Sequence, residues 1–101
     1  DRFPSSDEAG LARVSLGKLL LASGDPSDAE RQFGQYLKGA PGQLAEEALV
    51  NRAESFQKMG RTKAERTTWQ RLLAEYPNSV YAAEASRRLV ALSSPTVTPA
   101  P

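Results

Sequence analysis

The chain contains neither cysteine nor histidine. Without cysteine there is no disulfide framework and no thiolate to hold a metal. Without histidine it lacks the commonest metal ligand, the usual general base near neutral pH, and any Ser/His or Cys/His nucleophile pair. Glycine-rich phosphate loops are also missing, and no apolar run approaches the roughly 20 residues that span a bilayer. Charge is nearly balanced, with 13 Lys+Arg against 12 Asp+Glu and a net +1. That balance supplies no drive toward nucleic acid or an anionic membrane. No catalytic residue, metal ligand or cofactor is therefore assigned, no nucleic-acid partner is expected, and no segment is expected to insert into a membrane. The chain opens at Asp1 rather than Met. A fragment or processed product is expected, so the lack of a signal peptide carries no information about compartment.

What the chain does have is an internal repeat. Gly24 and Gly60 are 36 residues apart, as are Phe33 and Trp69, Leu37 and Leu73, and Pro41 and Pro77. "RFPSS" at 2–6 parallels "EYPNS" at 75–79, and Pro4 lies 37 residues before Pro41. The unit begins three times and is complete twice. A chain of 101 residues suffices for one domain that buries about 60–65% of its unfolded surface.

Within each unit the apolar residues recur at helical spacing. The stripes are Ala9, Ala12, Leu16, Leu19, Leu20; Ala29, Phe33, Leu37; Ala45, Ala48, Leu49, Ala53, Phe56; Ala64, Trp69, Leu72, Leu73, Tyr76; and Ala82, Ala85, Leu89, Leu92. They predict five helices near 7–22, 26–38, 43–59, 62–75 and 79–93. Gly24 and Gly60 each follow a stripe, where a helix ends in a left-handed residue. Asp25-Pro26 supplies an N-cap followed by the ring that suits a first turn. "SSDE" (5–8) and "TKAE" (62–65) have capping-box spacing. Gly39 with Pro41 forms one stop and Pro77 another. Tyr76-Pro77-Asn78-Ser79 then reads as a joint between repeats, with Asn78 or Ser79 capping the next helix. The domain is expected over 1–92, with repeats near 5–41 and 42–77 and a capping helix at 79–93. The Pro/Thr-rich tail at 94–101 has no apolar periodicity and is expected to be disordered.

Carboxylates and cations receive ordinary assignments. Glu46 and Glu47 are adjacent, so on a helix their side chains diverge by about 100° and do not converge on a substrate. Glu54–Lys58 and Glu84–Arg88 have the i,i+4 spacing of surface ion pairs. Arg61, Lys63, Arg66 and Arg71 surround Trp69, whose equivalence to Phe33 places it in the core rather than on a base-stacking surface.

"LGKLLLASGDPSDAERQFGQYLKGAP" (16–41) resembles a tetratricopeptide repeat. It has the family's Leu16-Gly17 doublet, turn Gly24, small Ala29, aromatic Phe33 and closing Pro41. The unit at 44–77 matches more loosely, with Ala53 in place of the doublet's glycine, Phe56 and Trp69 as aromatics, and Ala64 one residue early. The 36-residue period and the "YPNS" and "FPSS" joints are similar to repeats of bacterial envelope proteins. These include the Tol-Pal-associated periplasmic repeat protein, the lipoprotein of the outer-membrane β-barrel assembly machine, and repeat regions attached to FecR-type anti-sigma regulators.

The resemblance implies an all-α, right-handed superhelical solenoid of antiparallel hairpins, in a periplasm or cell envelope with the cytoplasm left open. It implies a non-catalytic interaction or scaffold module for a protein or peptide partner. The alternative is a docking or oligomerisation segment of a larger enzyme or of a membrane-anchored signalling regulator. In this family the first helix of each hairpin lines the concave side. Here that groove comprises Val14, Lys18 and Leu21; Glu47, Val50, Asn51, Glu54, Gln57 and Lys58; and Ser86, Arg87 and Val90. The surface is mixed, and of the family's carboxylate-clamp set only Lys18, Asn51 and Arg87 are of suitable type. The family that reads RNA with helical hairpins has a similar period, but its basic groove is missing. An unpaired first helix is expected to expose Leu11 and Leu19, a candidate surface for self-association.

Overall fold

A computed structural model describes residues 6–39 and 42–93, with side chains from residue 8 onward. The element order is α1 (Ser6–Ala22), α2 (Pro26–Lys38), α3 (Ala45–Lys58), α4 (Thr62–Glu75) and α5 (Ala82–Ser93). The architecture is all-α, a tetratricopeptide-like stack of helical hairpins in which each helix packs on the next. The tail at 94–101 lies outside the described residues, as do Pro41 and the start of the first capping box.

The two hairpin turns are built alike. Gly24 has φ +84° and Gly60 φ +73°. In the first, Asp25 N donates to Leu20 O and Gly24 N to Leu21 O; in the second, Arg61 N donates to Phe56 O and Gly60 N to Gln57 O. This double bond satisfies the last carbonyls of a helix and requires a left-handed residue at the turn. Asp25 caps α2 as expected, accepting from the Asp28 amide at 3.4 Å, with Pro26 opening the helix.

Other caps differ from expectation. Arg61 occupies the cap position of α4 and makes no side-chain cap hydrogen bond, so Thr62 is already helical and "TKAE" forms no capping box. Its Glu65 turns inward instead. Ser79 Oγ accepts from the Tyr81 amide at 3.0 Å. It therefore closes a turn ahead of α5, and the helix begins at Ala82 rather than 79. The entry to α3 is likewise later than 43. Tyr36, assigned no role above, has its hydroxyl accept from the Gly42 and Leu44 amides at 3.0 and 3.3 Å. That anchors the connecting loop and delays the helix to Ala45.

Phe33 and Trp69 are both fully buried, one in each hairpin. The Phe33 ring lies so close to Gly17 that a Cβ there would sit 2.6 Å from Cε1. In the second hairpin the register places Ala53 at that position, and it too is fully buried. The core centres on α3, which buries Ala45, Ala48, Leu49, Val50, Ala53, Ser55 and Phe56, whereas α5 fully buries only Ala85.

What α5 lacks in apolar burial it gains from an ion pair. Glu65, 2% exposed, accepts from Arg88 Nε and Nη2 at 2.6 and 2.8 Å and from the Trp69 indole at 2.9 Å. Arg52 lies 36 residues before Arg88 and has the same role in the preceding repeat. It reaches back to Glu30 at 2.9 Å and stacks 5.3 Å from the Phe56 ring centroid. Neither i,i+4 pair expected above forms: Arg88 is engaged by Glu65, and Glu54 is not within ion-pair distance of Lys58. Among the described residues an i,i+4 pair forms instead between Arg71 and Glu75, at 3.0 Å.

Candidate functional site

α1 meets α3 directly, whereas α2 and α4 do not approach each other and neither do α3 and α5. Elements on the inside of a curved array converge and those on the outside spread, which favours α1 and α3 as the inner side.

Side chains divide the expected groove residues into three groups. Val14 and Val50 are 2% and 5% exposed and belong to the hairpin core. They offer no surface to a partner, which corrects their assignment to the groove. They stand 36 residues apart and share one core cluster. Leu21 is half-buried against the same core. Lys18 and Glu47 form an ion pair that bridges α1 and α3. The hydrogen bond to Glu47, and then its negative charge, raise the Lys18 ammonium above its ordinary pKa. Asn51 donates to the Glu47 carbonyl at 2.9 Å, tying it to its own helix.

The remaining residues lie towards α5. Glu54, Gln57 and Lys58 line a hollow of about 460 Å³. Burial, and secondarily the charge of Glu84 on α5, push the Glu54 carboxyl above its usual pKa, with Lys58 partly offsetting them. Ser86, Arg87 and Val90 are exposed on α5. No Cα of α5 comes within 8 Å of α3, whereas α1 and α3 do approach within that distance.

The charge of Glu84 acts on Glu54, although its spacing in the sequence gives it to Arg88. A signal for the true arrangement is present: Arg52 and Arg88 share the 36-residue register, and each reaches the preceding hairpin's second helix. Among the described residues no helix is long and apolar enough to cross a membrane.

Residues 47–79 match a family model for the tetratricopeptide repeat. That segment is similar to a tetratricopeptide repeat. It takes in most of α3, all of α4 and the Tyr76-Pro77-Asn78-Ser79 joint. The first hairpin, outside the matched residues, repeats its turn geometry and its buried aromatic. No curated protein and no solved structure matches the chain. Tetratricopeptide repeats generally mediate protein–protein contacts and are typically non-catalytic scaffolds.

Proposed function

We propose that this chain is a non-catalytic scaffold module that takes a protein partner along the groove of α1, α3 and α5. The observation that carries this reading is the hollow beside Glu54, Gln57 and Lys58 on α3. These residues, and the exposed Arg87 on α5, present polar tips that the fold does not consume. The 36-residue period and the proline joints favour a bacterial envelope setting. The test selects twelve-residue peptides from a random display library. Affinity and melting temperature are then compared for Asn51→Ala with Arg87→Ala, and for Lys63→Ala with Arg71→Ala on the outer side. Weakened binding with unchanged melting in the groove pair supports the reading. Loss confined to the outer pair moves the site to the convex side.

A second reading, self-association, rests on α1, where Leu11 and Leu19 are 56% and 62% exposed. Sedimentation of the chain and of Leu11→Lys with Leu19→Lys tests it; a wild-type monomer at high concentration rejects it.

A further inference from the structure

Helix α1 is apolar on two sides. One side faces its own hairpin: Val14 is buried, and Gly10 and Gly17 lie against the Tyr36 and Phe33 rings of α2. On the other side Ala9, Ala12, Leu16 and Leu19 are all exposed, Leu16 at 43% and Leu19 at 62%. Their spacing of 3, 4 and 3 residues is that of a seam between paired helices. A helix apolar all round is ordinarily a buried one. Thirty-six residues on, the same four positions hold Ala45, Ala48, Arg52 and Ser55. There the three small residues are buried and Arg52 crosses to Glu30 on α2, so this stripe is the one that settles on a neighbouring helix. In α5 the arginine recurs as Arg88 and again finds a carboxylate, Glu65. In α1 the arginine register holds Leu16 instead. Its seam therefore suits an apolar helix that brings no carboxylate.

We infer that the occupant is a second copy of this chain, with α1 packed antiparallel on α1 about a two-fold axis level with residue 14. This deepens the self-association reading above and rests on it. Side-chain size selects the arrangement. Ala9 and Leu19 lie five residues either side of residue 14, and Ala12 and Leu16 lie two either side. An antiparallel pair thus sets an alanine against a leucine in every layer. A parallel pair would set alanine on alanine at one end and leucine on leucine at the other, which no single helix spacing packs well. Charge selects the same occupant. The seam carries no charged side chain, so two copies meet on it without like-charge contact. The nearest cations are drawn off it, Arg13 to Gln32 on α2 at 3.2 Å and Lys18 to Glu47 on α3. Even with all 17 residues of α1 in contact, about 25 Å of helix about 10 Å wide covers on the order of 250 Å² per copy, well below the ~800 Å² of a standard interface. The dimer is accordingly weak, with a Kd on the order of 10–100 µM.

The experiment uses the whole chain, whose lack of cysteine lets one be placed at will. Sedimentation equilibrium up to about 1 mM should show a dimer that Leu16→Glu with Leu19→Glu weakens about tenfold or more. The melting temperature of that variant in dilute solution should not fall, because neither leucine is buried within the fold. Ala9→Cys and Leu19→Cys chains are then mildly oxidised, separately and mixed. The antiparallel seam predicts a disulfide between the two variants in the mixture and little within either alone, since like positions stand about 15 Å apart along the helix axis. Disulfides that form as readily within each variant alone would make the pair parallel and overturn this inference. A dimer that survives Leu16→Glu with Leu19→Glu would overturn it too, and both results leave self-association standing. A wild type that stays monomeric up to about 1 mM overturns both readings.

Discussion

The Trp69 indole donates to Glu65 Oε2 one helical turn earlier on α4, at 2.9 Å, placing a carboxylate beside the largest core side chain. In the first hairpin the corresponding positions hold Ala29 and Phe33, a wholly apolar pair. Burial alone would push the Glu65 carboxyl up. The hydrogen bonds from Arg88 and Trp69, with the charge of Arg88, outweigh it and hold the carboxyl below its ordinary pKa. A carboxyl depressed in the folded state contributes stability above its unfolded pKa of about 4.3. That contribution fades as pH falls through the lower folded value. The melting difference between wild type and Glu65→Gln should therefore be full above about pH 5 and shrink in more acid buffer. A gap that stays constant down to pH 3 would show that the charge of Glu65 contributes nothing. Arg88→Ala should be the more damaging change, at about 3–5 kcal/mol, because it strands a buried carboxylate.

Phe33→Ala and Trp69→Ala should each cost about 3–5 kcal/mol, since each empties a fully buried site. For a domain of this size that is a large share of the total stability. Thermal melts of both variants check the equivalence, and a nearly unchanged midpoint for either would contradict it. Gly17→Ala should destabilise by about 1–3 kcal/mol for the opposite reason, overpacking against Phe33.

Gly24→Val and Gly60→Val should each lower stability by at least about 1–2 kcal/mol, because both turns hold positive φ. Nothing lies within 4 Å of where either Cβ would fall, so the penalty is conformational, not steric crowding. Gly→Asn at the same positions should recover some of it, a contrast that denaturant titration resolves.

Tyr36→Phe should cost about 0.5–1.5 kcal/mol. Its more specific signature is faster hydrogen exchange at the Gly42 and Leu44 amides, which lose their acceptor. Unchanged exchange at both would mean that the hydroxyl does not organise the entry to α3.

The local order of this protein is written in short spacings. Apolar residues at helical intervals, glycines after two of the stripes and one 36-residue period are enough to locate five helices, both left-handed turns and the equivalence of Phe33 with Trp69. Those features depend on neighbours within a few residues, or on a comparison of one repeat with the next. The later start of α5, the burial of Val14 and Val50, and the pairing of the charged residues depend on how hairpins rotate and settle on one another. Spacing makes Glu84 the partner of Arg88, yet Arg88 crosses to Glu65. An exposed i,i+4 pair is worth only a few tenths of a kcal/mol. A buried carboxylate left without its cation costs several, so the tertiary fold gives Arg88 to Glu65. Glu84 is thereby left without the cation its spacing offers, and its charge acts on Glu54.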